Sequence, residues 1–143
     1  MNKNNKSLLF LIIIILCTIQ NKIHAKDITH VPVESTNLNI EFYTAPNGKV
    51  PYNDWVSSLQ SNAIALKLLT KRIGQLKEGF LGDYNKIKYH GEGDLYELRL
   101  STGHRVYFSC FNLENIIIWL GGHKATQEKD LKKAAEYLSQ LNL

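Results

Sequence analysis

The sequence has few cysteines, and this shortage restricts the chemistry open to it. Its 143 residues include 2 cysteines, Cys17 and Cys110. Cys17 lies in an apolar N-terminal run and Cys110 in an apolar strand pattern, so a domain that loses the N-terminal run can form no intramolecular disulfide. A secreted protein of this size can do without one. No Cys/His or paired-carboxylate spacing is typical of a metal site, so we expect no metal.

Arginine is equally scarce, occurring only at Arg72, Arg99 and Arg105, although the formal net charge is +4 at pH 7. All three charged residues within 1–25 are lysines, and without them the 17 basic residues fall to 14, against 13 acidic ones. General basicity therefore gives no indication of nucleic-acid binding. The local arrangement is more informative, because Arg99 and Arg105 flank one predicted hairpin turn.

The N terminus has the layout of a secretory signal peptide or hydrophobic leader over residues 1–25. Lys3 and Lys6 precede an apolar run over 8–19, and polar residues follow up to Ala25. The run is shorter than the ~20 residues that span a bilayer, so we expect no stable membrane span after processing. Residues 26–37 are polar and show no periodicity, which predicts a linker.

Three strands are predicted within residues 95–124. The first places Tyr96 and Leu98 on one face and Glu97 and Arg99 on the other, because successive side chains of a strand alternate. A polar turn containing a glycine follows at 101–103. The next strand pairs Arg105 with Tyr107 and directs Val106, Phe108 and Cys110 to the core. After a turn at 112–115, the uniformly apolar run 116–120 predicts a strand covered on both faces, which ends at the glycine pair 121–122.

The remaining periodicity predicts one α+β domain over residues 38–143. Pro51 suits the first turn of a helix that has Trp55, Val56 and Leu59 on one face. These patterns predict a two-helix hairpin and a C-terminal helix packed on a small, mostly antiparallel sheet. The predicted elements are strands at 38–44 and 84–89, a helix from Pro51, a second from Asn62 to Gly79 with Ile64, Leu68, Ile73 and Leu76 inward, and an amphipathic helix at 127–141 with Leu131, Ala134, Ala135, Leu138 and Leu141 inward.

Four segments occur in a fixed order within residues 38–138: NGKVPYNDWVSSL, LYELR, GHRVYF and GGHKATQEKDLKKA. Their order and spacing resemble the RelE/ParE superfamily of bacterial toxin-antitoxin toxins, specifically its HigB-like, phage-derived addiction-module killer branch. The resemblance implies a RelE-like fold and a toxin that cleaves messenger RNA, often on the ribosome, without metal or cofactor. It also implies a cognate antitoxin, expected to be a helix-turn-helix protein encoded nearby.

The resemblance further implies which residues handle the phosphate. In this chemistry a ribose 2′-hydroxyl attacks the adjacent phosphate, and guanidinium groups suit the developing charge because they stay protonated and can hold two oxygens. Arg105 matches the arginine of the family pattern and is the strongest catalytic candidate, followed by Arg99. Lys124 matches the basic position after the last strand. Arg105 is expected to be exposed on its strand, so its replacement should leave the fold intact.

For proton transfer the candidates are His123, His104 and Tyr107. His123 is preferred because a histidine exchanges protons near neutral pH. The LYELR strand carries Glu97 where RelE-type enzymes carry lysines. Lys86, Lys88 and His90 are expected to substitute from the preceding segment, and together with His104 they are the predicted RNA-binding residues.

Several alternatives stay open on the sequence. Glu97 and Arg99 are also compatible with a solvated ion pair on one strand face. The whole domain is also compatible with a gyrase-inhibiting ParE-type toxin or with an exported, non-catalytic RelE-fold binding domain. The leader implies export, whereas the toxin resemblance implies the cytoplasm.

Overall fold

The computed structural model describes residues 37–89, 91, 93–111 and 114–141. The predicted leader, residues 26–36 of the predicted linker, residues 112–113 and His90 lie outside the described residues. In chain order the elements are β1 (Asn39–Phe42), α1 (Pro51–Ser58), α2 (Ala63–Lys77), β2 (Tyr84–Ile87), β3 (Leu95–Arg99), β4 (His104–Cys110), β5 (Asn115–His123), a 3₁₀ helix (Lys124–Thr126) and α3 (Gln127–Gln140).

The five strands form one mixed sheet in the order β1-β5-β4-β3-β2. The pairs β2–β3, β3–β4 and β4–β5 are antiparallel, whereas β1 runs parallel to β5. Three helices pack on this sheet, so the predicted α+β class with a mostly antiparallel sheet is confirmed. None of the helices in the described residues combines the length and the apolar character of a membrane-spanning segment.

The first two helices begin where the sequence predicts. Pro51 is the first residue of α1, where its missing N–H removes no helical hydrogen bond. Asn62 caps α2, because its side-chain oxygen accepts from the N–H of Ala65 at 3.0 Å. The buried stripe of α2 runs through Ala65 and Leu69. Ile64, predicted to face inward, is 70% exposed, because it lies one residue to the side of that stripe.

The two faces of the sheet have separate apolar cores. One core contains Phe108 and Ile118 of the sheet with Tyr52 of α1 and Leu69 of α2; we call this side the α1–α2 face. The other contains Tyr107, Ile117, Trp119 and Leu120 with Ala134 and Leu138 of α3; we call it the α3 face. Strand β5 contributes to both cores, so the prediction that it is covered on both faces is confirmed.

Strand β5 continues through the glycine pair at which it was predicted to end, and stops at His123. Packing explains the difference. A Cβ at Gly121 would overlap the indole ring of Trp55, and a Cβ at Gly122 would overlap the carboxylate of Asp130. The two glycines therefore admit close neighbours from opposite faces while the strand goes on.

Candidate functional site

The arginine pair lies where β3 turns into β4. The register of these strands places Arg99 directly opposite Arg105, at the turn formed by residues 101–103. Like charges directly opposite each other destabilise a sheet, so this pair requires a counter-charge. Their neighbour on β3, Glu97, provides it.

Glu97 is a fully buried carboxylate. Its Oε1 accepts from the Nε of Arg99 at 2.9 Å, and its Oε2 accepts from the Nε2 of Gln127 at 2.9 Å. The Nε of Arg105 lies 3.9 Å from Oε2. The alternative of a solvated Glu97–Arg99 pair is therefore wrong, because the carboxylate is enclosed by the arginines and the start of α3. A buried carboxylate requires partners of this kind.

Arg105 is less exposed than the sequence predicts. Its side chain is 15% exposed, compared with 38% for Arg99. The Nη1 of Arg105 donates to the carbonyl oxygen of His104 at 3.0 Å. Its Nε is buried, and no hydrogen-bond acceptor for it is found among the described residues. The expectation of an exposed Arg105 is wrong, since Glu97 and the start of α3 lie against this end of β4.

Tyr107 lies inside the α3 face. It pairs with Glu97 across β3 and β4, and its side chain is fully buried. Burial, followed by the charges of Glu97 and Asp130, raises the pKa of Tyr107 well above its ordinary value. Its hydroxyl finds no hydrogen-bond partner within the part of the chain that the structure describes. This predicted proton donor is thus a neutral phenol in the interior.

The two candidate histidines meet on the opposite face. His104 and His123 are directly paired across β4 and β5, and their rings are edge to face with centroids 5.1 Å apart. The Thr102 hydroxyl lies 2.8 Å from the Nδ1 of His104. Burial, and then the charge of His123, lower the pKa of His104. His104 is therefore neutral at neutral pH.

His123 is the last residue of β5 rather than a loop residue, and the following backbone fixes its tautomer. Its Nδ1 accepts from the N–H of Ala125 at 3.2 Å, so the proton of the neutral ring is on Nε2, which lies 3.3 Å from the Thr102 carbonyl oxygen. Gly103, at φ +86°, makes this approach possible, because a Cβ there would lie 2.7 Å from that Nε2. The ring of His123 is half-buried.

The sheet therefore divides the predicted catalytic residues between its faces but gathers them at one end. Arg99, Arg105 and Tyr107 lie on the α3 face, because they alternate along their strands with residues of the α1–α2 core. The histidine pair lies on the α1–α2 face, where the centroid of the His104 ring is 6.1 Å from that of Trp55. Lys124 follows directly after β5 and is exposed. Its N–H donates to the Gly103 carbonyl at 2.9 Å, which ties it to the same turn.

The predicted RNA-binding lysines lie elsewhere. Lys86 pairs with Tyr96 across β2 and β3, three residues along β3 from Arg99, which is about 10 Å at the usual rise per residue. Its ammonium forms a 2.8 Å ion pair with Asp94. Lys88 is exposed beyond the end of β2. The structure does not bring these lysines to the arginine pair, and their role stays a prediction.

A cleft of about 180 Å³ adjoins Arg99. Helix α2 lines one side of it with Lys71, Arg72 and Gln75, and Arg99 lines the other. Arg72 also fixes the loop after α2, because its Nη2 donates to the carbonyl oxygens of Leu81 and Asp83. Two of the three arginines of the chain thus border one cleft, and the third lies opposite Arg99.

Sequence reasoning did not find Gln127 as part of the site. Its contact with Glu97 joins residues 30 positions apart, so no local pattern indicates it. Glu97 was visible on the same strand face as Arg99, but its charge suggested exposure. Within the ranges that the structure describes, no three His, Cys, Asp or Glu residues are grouped as metal ligands.

Comparison with known proteins identifies a relative by sequence. A Haemophilus influenzae protein named only "Uncharacterized protein" is 36% identical to this chain over 94 residues, which cover 64% of this chain and 90% of that protein. The solved structure of the YoeB dimer from Staphylococcus aureus is similar at 21% identity with a TM-score of 0.43, covering 59% of this chain and 93% of the other. No protein-family model matches. From its identity to the H. influenzae protein over nearly the whole of that protein, the chain belongs to the same family.

Proposed function

We propose that the protein is the toxin of a type II toxin-antitoxin module and cleaves messenger RNA as a metal-independent endoribonuclease of the RelE/ParE type. The observation that supports this most directly is the Arg99–Arg105 pair, which shares one buried carboxylate. Glu97 is shared by two guanidinium groups, and the other nearby acid, Asp83, is 69% exposed and screened by water at 3.8 Å from Arg99, so the positive charge of the pair is only partly offset and favours an anion. The four sequence segments that resemble the HigB-like branch are the second support.

The arginine pair suits the phosphate of the scissile bond. The attack of a 2′-hydroxyl on that phosphate increases negative charge on its oxygens, and cations fixed beforehand at that position stabilise the transition state. The side chain of Arg105 is only 15% exposed, compared with 38% for Arg99, so water screens its charge less. We therefore assign Arg105 as the principal phosphate ligand and Arg99 as the second.

His123 is the proposed proton-transfer residue. Its ring is half-buried at the strand end, and the N–H of Ala125 fixes which nitrogen carries the proton. His104 is buried and has a lowered pKa, so it acts as a neutral neighbour of His123 rather than as a second acid. We assign Tyr107 no contact with RNA, because its hydroxyl is enclosed. Lys124, exposed beside His123, is assigned to the RNA backbone.

The cleft beside Arg99 provides a path for the RNA strand. Its lining includes Lys71 and Arg72 of α2, so a chain of phosphates entering it meets positive side chains on both sides. A cognate antitoxin that places an acidic or extended segment over Arg99 and Arg105 would block the same position. Residues 1–25 stay a predicted leader, so export before or after pairing with an antitoxin is part of the question to be tested.

Primer-extension mapping of transcripts tests the proposal. The full-length chain and the chain from Asp27 onward are induced in bacteria, alongside Arg105→Lys, which keeps the charge but loses the two-pronged guanidinium. Lys77→Ala is the matched control, because Lys77 is an exposed cation beside Leu38, at the opposite end of the sheet. We expect new transcript ends within coding regions for the parent chain and the control, and about 100-fold fewer for Arg105→Lys.

The other outcomes separate the alternatives. Arrested growth without new transcript ends would favour gyrase inhibition. Soluble protein with neither effect would favour a non-catalytic binding domain. Equal cleavage by Arg105→Lys would remove the bidentate arginine from the mechanism while leaving the ribonuclease activity in place.

A further inference from the structure

Glu97 is difficult to explain as a stabilising residue. It is the only fully buried carboxylate among the residues that the structure describes, and apart from the two arginines its neighbours on that sheet face are apolar side chains such as Tyr107 and Leu95. Removing a carboxylate from water is costly, and apolar side chains of similar size commonly give equal or greater stability in such positions. Its presence therefore indicates a different role.

The contacts of Glu97 suit a residue that holds two arginines in place. Its Oε1 binds the Nε of Arg99, while its Oε2 faces both Gln127 and the Nε of Arg105. Each arginine thus turns its inner edge, the Nε side, toward one carboxylate. The Nη2 groups take no part in these contacts with Glu97, and both arginines keep part of their side chains exposed.

We propose that Glu97 is a positioning residue that holds Arg99 and Arg105 side by side so that both guanidinium groups can bind one phosphate, with Gln127 fixing the carboxylate to the first residue of α3. The inference rests on the proposed function for the identity of that phosphate, an RNA phosphodiester. Without Glu97 the two cations repel each other across the strands and separate. Preorganisation of this kind is what makes charged groups effective in a site.

The two arginines are not held equally. The Nε of Arg99 lies 2.9 Å from the Oε1 of Glu97, which is a hydrogen-bond distance. The Nε of Arg105 lies 3.9 Å from the Oε2 of Glu97 and has no acceptor among the described residues. Arg105 is therefore the arginine that adjusts when a phosphate binds. Its Nε signal should respond to phosphate more strongly than that of Arg99.

Because the chain has few arginines, the environment of Arg99 and Arg105 can be measured directly from their Nε–H signals. A ¹⁵N-labelled full-length chain has only three arginine Nε–H signals, from Arg72, Arg99 and Arg105, which Arg→Lys variants assign. Glu97→Gln is isosteric but neutral. It should move the signals of Arg99 and Arg105 and leave Arg72, which binds backbone carbonyls, as an internal control for folding.

A matched control removes the other acid near Arg99. The carboxylate of Asp83 lies 3.8 Å from the Nη1 of Arg99, but its side chain is 69% exposed. Because water screens a pair of this kind, Asp83→Asn should change the arginine signals little. Equal effects of Asp83→Asn and Glu97→Gln would overturn the special role of Glu97.

Titration with inorganic phosphate tests the function of the arrangement. In the parent chain phosphate should shift the signals of Arg105 and Arg99, and in Glu97→Gln the apparent affinity should fall about tenfold, since preorganisation is lost. Equal affinity, with the Arg72 signal intact, would overturn the proposal. If Glu97→Gln does not fold, Gln127→Ala decides the question: it must weaken phosphate binding and move the Arg105 signal, and no change in either would refute the role of Glu97.

An RNA substrate separates this inference from the proposed function. With RNA, Glu97→Gln should lower kcat by about tenfold or more while KM changes less, because the phosphate gains charge mainly in the transition state. If phosphate binding depends on Glu97 but the parent chain cleaves no RNA, the positioning role is supported and the ribonuclease proposal fails. A fall in kcat that follows only the loss of folded protein would make Glu97 merely structural.

Discussion

The two faces of the sheet are built on different principles. The α1–α2 face is covered by apolar side chains along its length and ends in the rings of Trp55, His104 and His123. The α3 face is covered by a single helix, and at the same end of the sheet its apolar core gives way to the cluster of Glu97 with its two arginines.

The difference shows where charged side chains replace apolar packing. Both buried side-chain atoms without a hydrogen-bond partner in the described residues, the Nε of Arg105 and the hydroxyl of Tyr107, belong to the α3 face. Native proteins seldom keep such atoms, and each one calls for an explanation such as a functional site. The α1–α2 face has the larger set of buried apolar residues and is expected to contribute more to stability than the α3 face, which also carries the charged cluster.

Truncation of the apolar core should give the largest effect and should distinguish the faces. Phe108→Ala on the α1–α2 face is expected to lower the free energy of unfolding by about 3–5 kcal/mol, because Phe108 is fully buried. Leu138→Ala on the α3 face should cost about 2–5 kcal/mol. Urea denaturation measures both. A larger loss for Leu138→Ala would reverse the assignment of the main stabilising face.

The glycine pair of β5 allows the same comparison within one strand. Gly121→Ala must displace the Trp55 indole, and overpacking of this kind costs about 1–3 kcal/mol. Gly122→Ala must displace only the Asp130 carboxylate, the end of a flexible side chain, so we expect less, about 1 kcal/mol or under. Thermal unfolding of the two variants tests the order. Equal losses of stability in the two variants would mean that the Asp130 side chain is as difficult to displace as the Trp55 indole. The Asp130 carboxylate accepts from the Thr126 hydroxyl at 2.6 Å, which would be the reason.

The histidine pair should make stability depend on pH. Because the pKa of His104 is lowered, the unfolded chain binds a proton more readily than the folded protein. The contribution of His104 is therefore complete above about pH 6.5, the ordinary histidine pKa, and is lost as the pH falls through the lowered value. Urea midpoints above and below this range measure the loss. His104→Gln should reduce it, and an undiminished loss in that variant would assign it to other groups.

Tyr107→Phe should have the smallest effect and the opposite sign. Removal of a buried hydroxyl without a partner is expected to leave stability unchanged or to raise it by up to about 1 kcal/mol. RNA cleavage should also persist, since we assign Tyr107 no contact with RNA. Denaturation and transcript mapping measure the two effects. A clear loss of cleavage in a stable variant would restore Tyr107 as a proton donor.

How much could be predicted from the sequence differs between the two faces. The alternation of apolar residues correctly predicted that Val106, Phe108 and Cys110 lie in one core, because alternate side chains of a strand share one face and an apolar face is buried. The proline and asparagine that open α1 and α2 were equally informative, since capping is local.

The charged cluster could be predicted only in part. The pairing of Arg99 with Arg105 follows from the hairpin and was anticipated. The burial of Glu97 was not, because it depends on Gln127, which reaches the strand from a helix 30 residues later. Propensity and alternation describe neighbours in sequence, whereas burial of a charge is decided by which distant segment lies over it.

The parallel pairing of β1 with β5 has a consequence for how the chain is made. Asn39 pairs with Asn115, so the first strand of the described residues finds its partner only in the last of them. Contacts between such distant segments form slowly, and unpaired strand edges favour association with other chains. The nascent chain therefore carries an unpaired β1 while the segment between β1 and β5 is translated. Its sheet, with the arginine pair beside it, is completed only after β5 has been synthesised.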